Sequence, residues 1–117
     1  MQVAFNTIAF PDSTLEQIAT FAEHSGYDAI EFRTLGYGVT QVASDPALTD
    51  TDKVRRLIRE YGTRASGLAT SVRFDQPFDL PVIGHAFGDN EKGVRMAKRM
   101  IDLAAQLEAP HVRVFAF

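Results

Sequence analysis

Apolar residues recur at helical spacing in three segments of the chain, and a short strand-like run precedes and follows each segment. The three junctions from helix to strand are alike and lie at 24–32, 60–68 and 106–114. In each junction the helical pattern ends, a few polar or turn-forming residues follow, and a strand pattern begins. Such a repeat is typical of βαβ units, which predicts parallel strands joined by right-handed crossovers. The length of 117 residues is enough for one domain, 1–117.

The predicted order of elements is β-α-β-α-β-α-β. The strands are predicted at about 2–6, 29–33, 64–71 and 111–117. The first helix is predicted to begin with a capping box of Ser13 and Glu16 and to end at Gly26. The second helix is predicted to begin near Thr51 and to end at Gly62.

The third helix is predicted to begin at Asp89 or Asn90 and to end before Pro110. Its buried stripe is predicted from the apolar residues at helical spacing, which are Val94, Ala97, Ile101 and Ala104. The connections from strand to helix, at 34–50 and 72–90, are longer than the usual two to six residues. Both connections follow the carboxyl ends of strands, where parallel α/β proteins bind their ligands.

The composition of the chain excludes several classes of protein. Its 12 Lys and Arg against 15 Asp and Glu give a net charge of −3, which argues against a nucleic-acid binder that relies on phosphate contacts. No run approaches the roughly 20 apolar residues that span a bilayer, and the amino terminus lacks the pattern of a signal peptide. Without cysteine the chain has no disulfide and no thiolate ligand. We therefore expect a soluble cytoplasmic protein that binds neither nucleic acid nor membrane.

Polar and apolar residues alternate along the predicted strands. The second strand alternates Ile30 and Phe32 with Glu31 and Arg33, and the fourth strand places Arg113 between valines. Because a parallel strand covered on both faces is almost continuously apolar, we expect one face of this sheet to pack against helices and the other to carry polar groups. A competing interpretation is that Glu31 pairs with one of the two arginines as a buried ion pair.

Four segments together, 3–10, 26–35, 69–75 and 102–115, resemble the sugar phosphate isomerase/epimerase family of xylose-isomerase-like TIM barrels. The specific parts are Asn-Thr at 6–7, G-Y-D-x-I-E-x-R at 26–33 and A-P-x-V-R-V-F at 109–115. The resemblance implies an α/β fold that is the amino-terminal half of a (β/α)8 barrel. The family's barrel has eight strands and about 250 residues, whereas the predicted strands here end with the fourth.

The resemblance also implies a site at the carboxyl ends of the strands. Its implied substrate-binding residues are Asn6, Glu31, Arg33, Ser71 and Arg113. They would bind a sugar or sugar phosphate for proton transfer next to a carbonyl group, since arginine recognises phosphate bidentately. The catalytic residues are not identified. A divalent metal (Mn, Mg or Zn) belongs to the full-length family, but its ligands come from later strands, so we expect no cofactor and no isomerase activity in this chain alone.

Two other interpretations stay open at this point. The chain could be a non-enzymatic half-barrel that assembles with copies of itself, or a flavodoxin-like domain that binds a small anion and carries helices on both faces of its sheet. In a half-barrel one face stays uncovered, with Phe115, Phe117, Ala4 and Ala69 exposed, and the marginal strands keep unpaired backbone groups. We therefore expect a homodimer or a larger homo-oligomer.

Overall fold

A parallel sheet of four strands forms the centre of the computed structural model, which describes residues 1–34, 42–74 and 83–115, without the side chains of 83–90 and 92. The strands are β1 (Ala4–Asn6), β2 (Ala29–Thr34), β3 (Ala65–Arg73) and β4 (Val112–Phe115). The helices are α1 (Leu15–Ser25), α2 (Thr51–Glu60) and α3 (Ile83–Gln106). Residues 116–117 of the predicted fourth strand lie outside the described residues. The predicted α/β order is confirmed.

The strands are arranged in chain order, β1-β2-β3-β4, and each neighbouring pair is parallel. This order corrects the flavodoxin-like interpretation, because doubly wound folds reverse direction within the sheet and so receive helices on both faces. Here the strand order never reverses. Successive right-handed crossovers in one direction bring the helices to one side, as in one half of a closed barrel.

All three helices pack into a single apolar core on that side of the sheet. The core contains Ile30, Phe32 and Leu68 from the strands. The helices contribute Leu15, Ile18, Ala22, Val54, Ile58 and Ala104, and Leu107 follows α3. Since side chains alternate between the two faces of a strand, the residues between these core positions lie on the opposite face.

The first helix begins one residue later than the sequence predicts. Its capping box is made by Thr14 and Gln17: the Thr14 hydroxyl accepts from the Gln17 N–H at 3.3 Å, and Gln17 Oε1 accepts from the Thr14 N–H at 2.9 Å. The prediction of Ser13 and Glu16 is therefore wrong, because threonine and glutamine form the same reciprocal pair as serine and glutamate. The predicted end is confirmed, with Gly26 left-handed at φ 74°.

The third helix begins earlier than the sequence predicts. It already includes residues 83–90, so neither Asp89 nor Asn90 is its N-cap, and the connection predicted at 72–90 is correspondingly shorter. Glycines and an Asp-Asn pair weaken helix propensity there, but tertiary packing routinely overrides such preferences. Part of each predicted connection, 35–41 and 75–82, lies outside the described residues.

The buried stripe of α3 also differs from the prediction. Val94 and Ile101 are 44% and 56% exposed, while Met100 and Ala104 are buried. The two stripes share Ala104 but differ by a rotation of the helix. The observed rotation instead packs Leu103 against the core and brings Met100 Sδ to 3.8 Å from the buried hydroxyl oxygen of Thr34 on β2.

Within the described parts of the chain, none of the helices has the length and apolar character needed to cross a membrane.

Candidate functional site

One face of the sheet carries the polar residues singled out by the sequence; we call Asn6, Glu31, Arg33, Ser71 and Arg113 the polar face. The strand register brings them together: Asn6 is paired with Glu31, and Arg33 with Ala69, which is paired in turn with Arg113. Ser71, further along β3, accepts a hydrogen bond from the Arg33 guanidinium and therefore lies on the same side. The prediction that Glu31 and Arg113 share a face is confirmed. The binding role of these residues stays a prediction.

Glu31 is held by Asn6 from the neighbouring strand. Asn6 Nδ2 donates to Glu31 Oε2, and Asn6 Oδ1 accepts the N–H of Ile8 at 2.8 Å. The amide of Asn6 is thereby oriented at both ends, since each of its groups already has a partner of the matching kind. Across the described ranges, Glu31 forms no ion pair with Arg33 or Arg113, so the buried ion-pair interpretation does not hold there.

Arg33 binds β3 rather than a carboxylate. Its Nη1 donates to the carbonyl oxygens of Ala69 and Thr70 at 3.0 and 2.9 Å, and its Nη2 donates to Ser71 Oγ at 2.7 Å. At least three of its five donors are used in this way. Ala69, whose carbonyl accepts from this guanidinium, is fully buried, so the prediction that Ala69 is exposed is wrong.

The charges around Arg33 act in both directions. Burial is the largest cause that lowers the pKa of Arg33, and the neighbouring guanidinium of Arg113 lowers it further. The carboxylates of Asp45 and Glu31 raise it. Arginine remains charged at neutral pH in spite of such a shift. The repulsion between Arg33 and Arg113 is thus an electrostatic reason for an anion to bind between them.

Arg113 is the exposed cation of the polar face. Its guanidinium carbon lies 6.0 Å from the centre of the Phe115 ring, within the range of a cation–π contact. Among the described residues, no hydrogen bond or ion pair reaches its guanidinium nitrogens. Its donors are therefore available to a ligand on this side of the sheet.

A buried carboxylate, Asp45, was missed by the sequence reasoning. It is 1% exposed, and its Oδ1 accepts the N–H of Ala47 at 2.8 Å, which caps a short 3-10 turn at Pro46–Leu48. The signal available in the sequence was the Asp-Pro pair within the connection after β2, a common start of a helical turn. Its burial beside Arg33 could not be read from that pattern.

The connections that follow β1 and β2 are joined at this end of the sheet. Ala43 N–H donates to the carbonyl of Pro11 at 3.2 Å. The hydroxyl of Thr7, fully buried, accepts the N–H of Arg33 at 2.8 Å. These bonds hold the carboxyl ends of the first two strands in a fixed relation, so Glu31 and Arg33 occupy a rigid part of the molecule.

A divalent metal, which the resemblance implies for the full-length family, does not fit the described residues. No group of three or more His, Asp or Glu side chains in the described ranges could hold one. Glu31 accepts from Asn6 and lies near the Arg33 guanidinium, so it is already engaged with a donor and a cation and is poorly suited to hold a metal ion. We assign no step to a metal.

Comparison with known proteins supports the fold alone. No family model and no curated protein match the sequence. Among solved structures, the chain matches a xylose isomerase domain-containing protein from Salmonella typhimurium LT2 with a TM-score of 0.71 and 16% identity. It also matches the probable 3-DHS dehydratase AsbF, involved in petrobactin synthesis in Bacillus anthracis, with a TM-score of 0.67 and 16% identity.

The matches cover 99% of this chain but only 37% and 38% of those two chains. This chain therefore spans less than two fifths of the length of either protein. Its fold is that of one part of a xylose-isomerase-like TIM barrel, in agreement with the parallel order of the four strands and with the resemblance found in the sequence.

Proposed function

We propose that the polar face binds a sugar or sugar phosphate, and that the chain is the substrate-binding, amino-terminal half of an isomerase- or epimerase-like barrel. The observation that carries the proposal is Arg113, an exposed guanidinium without a carboxylate partner among the described residues, beside the second guanidinium of Arg33. The carboxylates of Glu31 and Asp45 act on Arg33, whereas Arg113 is the exposed guanidinium to which an anion has access. A phosphate or carboxylate group would relieve the repulsion between the two guanidinium groups.

The neighbouring groups suit the hydroxyls of the same ligand. Glu31 accepts from Asn6 through Oε2, which leaves Oε1 to accept from a ligand hydroxyl. Ser71 Oγ accepts from Arg33 and can donate its own proton. A ligand with an anionic group at Arg113 and hydroxyls toward Glu31 would therefore use donors and acceptors of both kinds.

The reaction we propose for the whole barrel is proton transfer next to a carbonyl group, with the polar face orienting the substrate. Proton transfer of this kind needs a positioned base, and catalysis depends on holding the reacting atoms in place. The described residues supply orientation through Arg113 and Glu31, and we assign none of them the role of base. We accordingly expect the chain alone to bind the ligand without turning it over.

The proposal is tested by titrating the full chain with inorganic phosphate, ribose 5-phosphate and ribose. Binding is measured from the change in the NMR chemical shifts of the arginine side chains. We expect Arg113→Gln to weaken phosphate binding at least tenfold, because a charge-assisted hydrogen bond is lost. Arg95→Gln is the matched control, since Arg95 is an exposed arginine of α3. Unchanged binding by Arg113→Gln, or an equal loss in both variants, would contradict the proposal.

A further inference from the structure

The pairing between β3 and β4 is interrupted next to Arg113. Ala69 is paired with Arg113 and Arg73 with Phe115, so β3 advances four residues while β4 advances two. Such a bulge bends the strand and redirects the side chains around it. Bulges beside functional sites commonly serve to aim a residue, and this one lies directly beside the exposed guanidinium.

The buried hydroxyl of Thr70 lies at the centre of this bulge. Thr70 Oγ1 donates to the carbonyl oxygen of Arg113 at 2.6 Å and accepts the N–H of Val72 at 3.2 Å. The side chain is 1% exposed, so water does not compete for these bonds. Thr70 thereby joins the backbone of β4 to the segment of β3 that has left the regular pairing.

Arg33 holds the same segment from the opposite face of the sheet. One nitrogen, Nη1, donates to the successive carbonyl oxygens of Ala69 and Thr70. Successive carbonyls of a regular strand point to opposite sides, so a single nitrogen reaches both only because β3 is distorted at this point. The bulge is therefore fixed by a hydroxyl on the helix side and a guanidinium on the polar side.

From these contacts we infer that Thr70 is a positioning residue, which fixes Arg113 for the anion through the backbone of β4. The inference rests on the proposed function, because it concerns the same anion. β4 is a marginal strand that is mostly exposed and has β3 as its neighbour in the sheet. The position of Arg113 consequently depends on its contacts with β3. At the bulge the side-chain contact is the hydrogen bond from the Thr70 hydroxyl to the Arg113 carbonyl oxygen.

The test compares phosphate binding by three variants of the full chain. Thr70→Val keeps the shape of the side chain and removes the hydroxyl, and we expect it to weaken binding about fivefold to tenfold. Thr70→Ser keeps the hydroxyl, and we expect affinity within about twofold of the wild type. If a cooperatively unfolding Thr70→Val binds like the wild type, or if Thr70→Ser loses as much as Thr70→Val, the inference is overturned.

If Thr70→Val does not fold, hydrogen exchange in the wild-type chain tests the positioning role of Thr70. Val72 is buried on the helix side of β3, so an anion on the polar face does not touch it, although its N–H donates to Thr70. If Thr70 couples the two strands, saturating phosphate slows hydrogen exchange of the Val72 amide at least threefold. An unchanged Val72 exchange rate, measured under the same saturation, overturns the inference.

The third variant, Arg113→Gln, separates the two claims. If Arg113→Gln binds phosphate as well as the wild type, the proposed function itself fails. If Arg113→Gln loses phosphate binding while Thr70→Val keeps the wild-type affinity and phosphate leaves the exchange rate of the Val72 amide unchanged, the anion site stands and the positioning role of Thr70 fails.

Discussion

Several side chains in and next to the polar face also form hydrogen bonds with the backbone. Asn6 accepts from Ile8 N–H while it donates to Glu31, and Thr7 accepts the N–H of Arg33. Asn6, Glu31, Arg33 and Ser71 thus each have a hydrogen-bond partner that limits the freedom of the side chain, and Arg113 is the exception among the described residues. A rigid, hydrogen-bonded face loses little conformational entropy when a ligand binds, which favours affinity.

The hydrogen bond from Asn6 to Glu31 can be tested by replacing the amide with a carboxylate. Asn6→Asp keeps the acceptor for Ile8 N–H but turns a carboxylate toward Glu31, so we expect a loss of about 1–3 kcal/mol in the free energy of unfolding at pH 7. Repulsion raises one carboxyl pKa of the folded variant above its unfolded value. The loss is therefore complete above that raised pKa and disappears as the pH falls below the unfolded value, about 4.

Urea unfolding of wild type and Asn6→Asp at one protein concentration, at pH about 7 and about 4.5, measures this change. A penalty that is the same at both pH values would show that the aspartate acts through lost packing and not through charge. The wild type at each pH is the control, because its own carboxylates titrate over the same range.

At this scale the sequence predicted the identity of the polar face better than the bonds within it. Alternation along β2 and β4 was enough to place Glu31, Arg33 and Arg113 on one face, since a strand has a period of two. Alternation does not determine the hydrogen-bond partner of a charged side chain. Glu31 accepts from Asn6, and Arg33 donates to carbonyls of β3. Both sets of hydrogen bonds depend on the register between strands, which arises only in the folded sheet.

At the scale of elements, helix ends and strand pairing depend on single hydrogen bonds. The helices α1 and α2 end near left-handed glycines, Gly26 and Gly62, as the sequence indicates. The sequence does not determine the start of α1, because Ser13 and Thr14 each have a suitable capping-box partner three residues later. The bulge in β3 has no signature in the sequence at all, since it depends on the pairing with β4 and on Arg33 from another strand.

The start of α1 can be tested by a matched pair of variants. Thr14→Ala removes the observed N-cap side chain, and we expect it to lower the free energy of unfolding by about 1 kcal/mol. Ser13→Ala removes the residue that the sequence alone favoured, and we expect a change within about 0.5 kcal/mol. Urea denaturation of both variants measures the difference, and a larger loss for Ser13→Ala would contradict the observed cap.

At the scale of the whole molecule, the sheet formed by the described residues has two marginal strands, β1 and β4. β4 exposes Val114 and Phe115, at 37% and 40%, and Ile101 on α3 is also exposed. β1, at the other margin, likewise has a neighbour on one side. Marginal strands with apolar side chains are sites of association in natural proteins.

We therefore predict that the chain by itself forms a dimer or a larger species. Two copies related by a two-fold axis along the barrel can pair β4 of one copy with β1 of the other in the parallel sense and close eight strands. Light scattering at micromolar concentration measures the mass of the species. A monomer of 12.9 kDa that unfolds cooperatively would contradict this prediction.

Anomalous diffraction from crystals of the chain soaked in selenate would show directly whether the polar face binds an anion. We expect a selenium peak within hydrogen-bond distance of the Arg113 guanidinium on the side of Glu31 and Arg33. Peaks confined to the helix-face cations, such as Arg95 and Lys98, with none at Arg113, would contradict it.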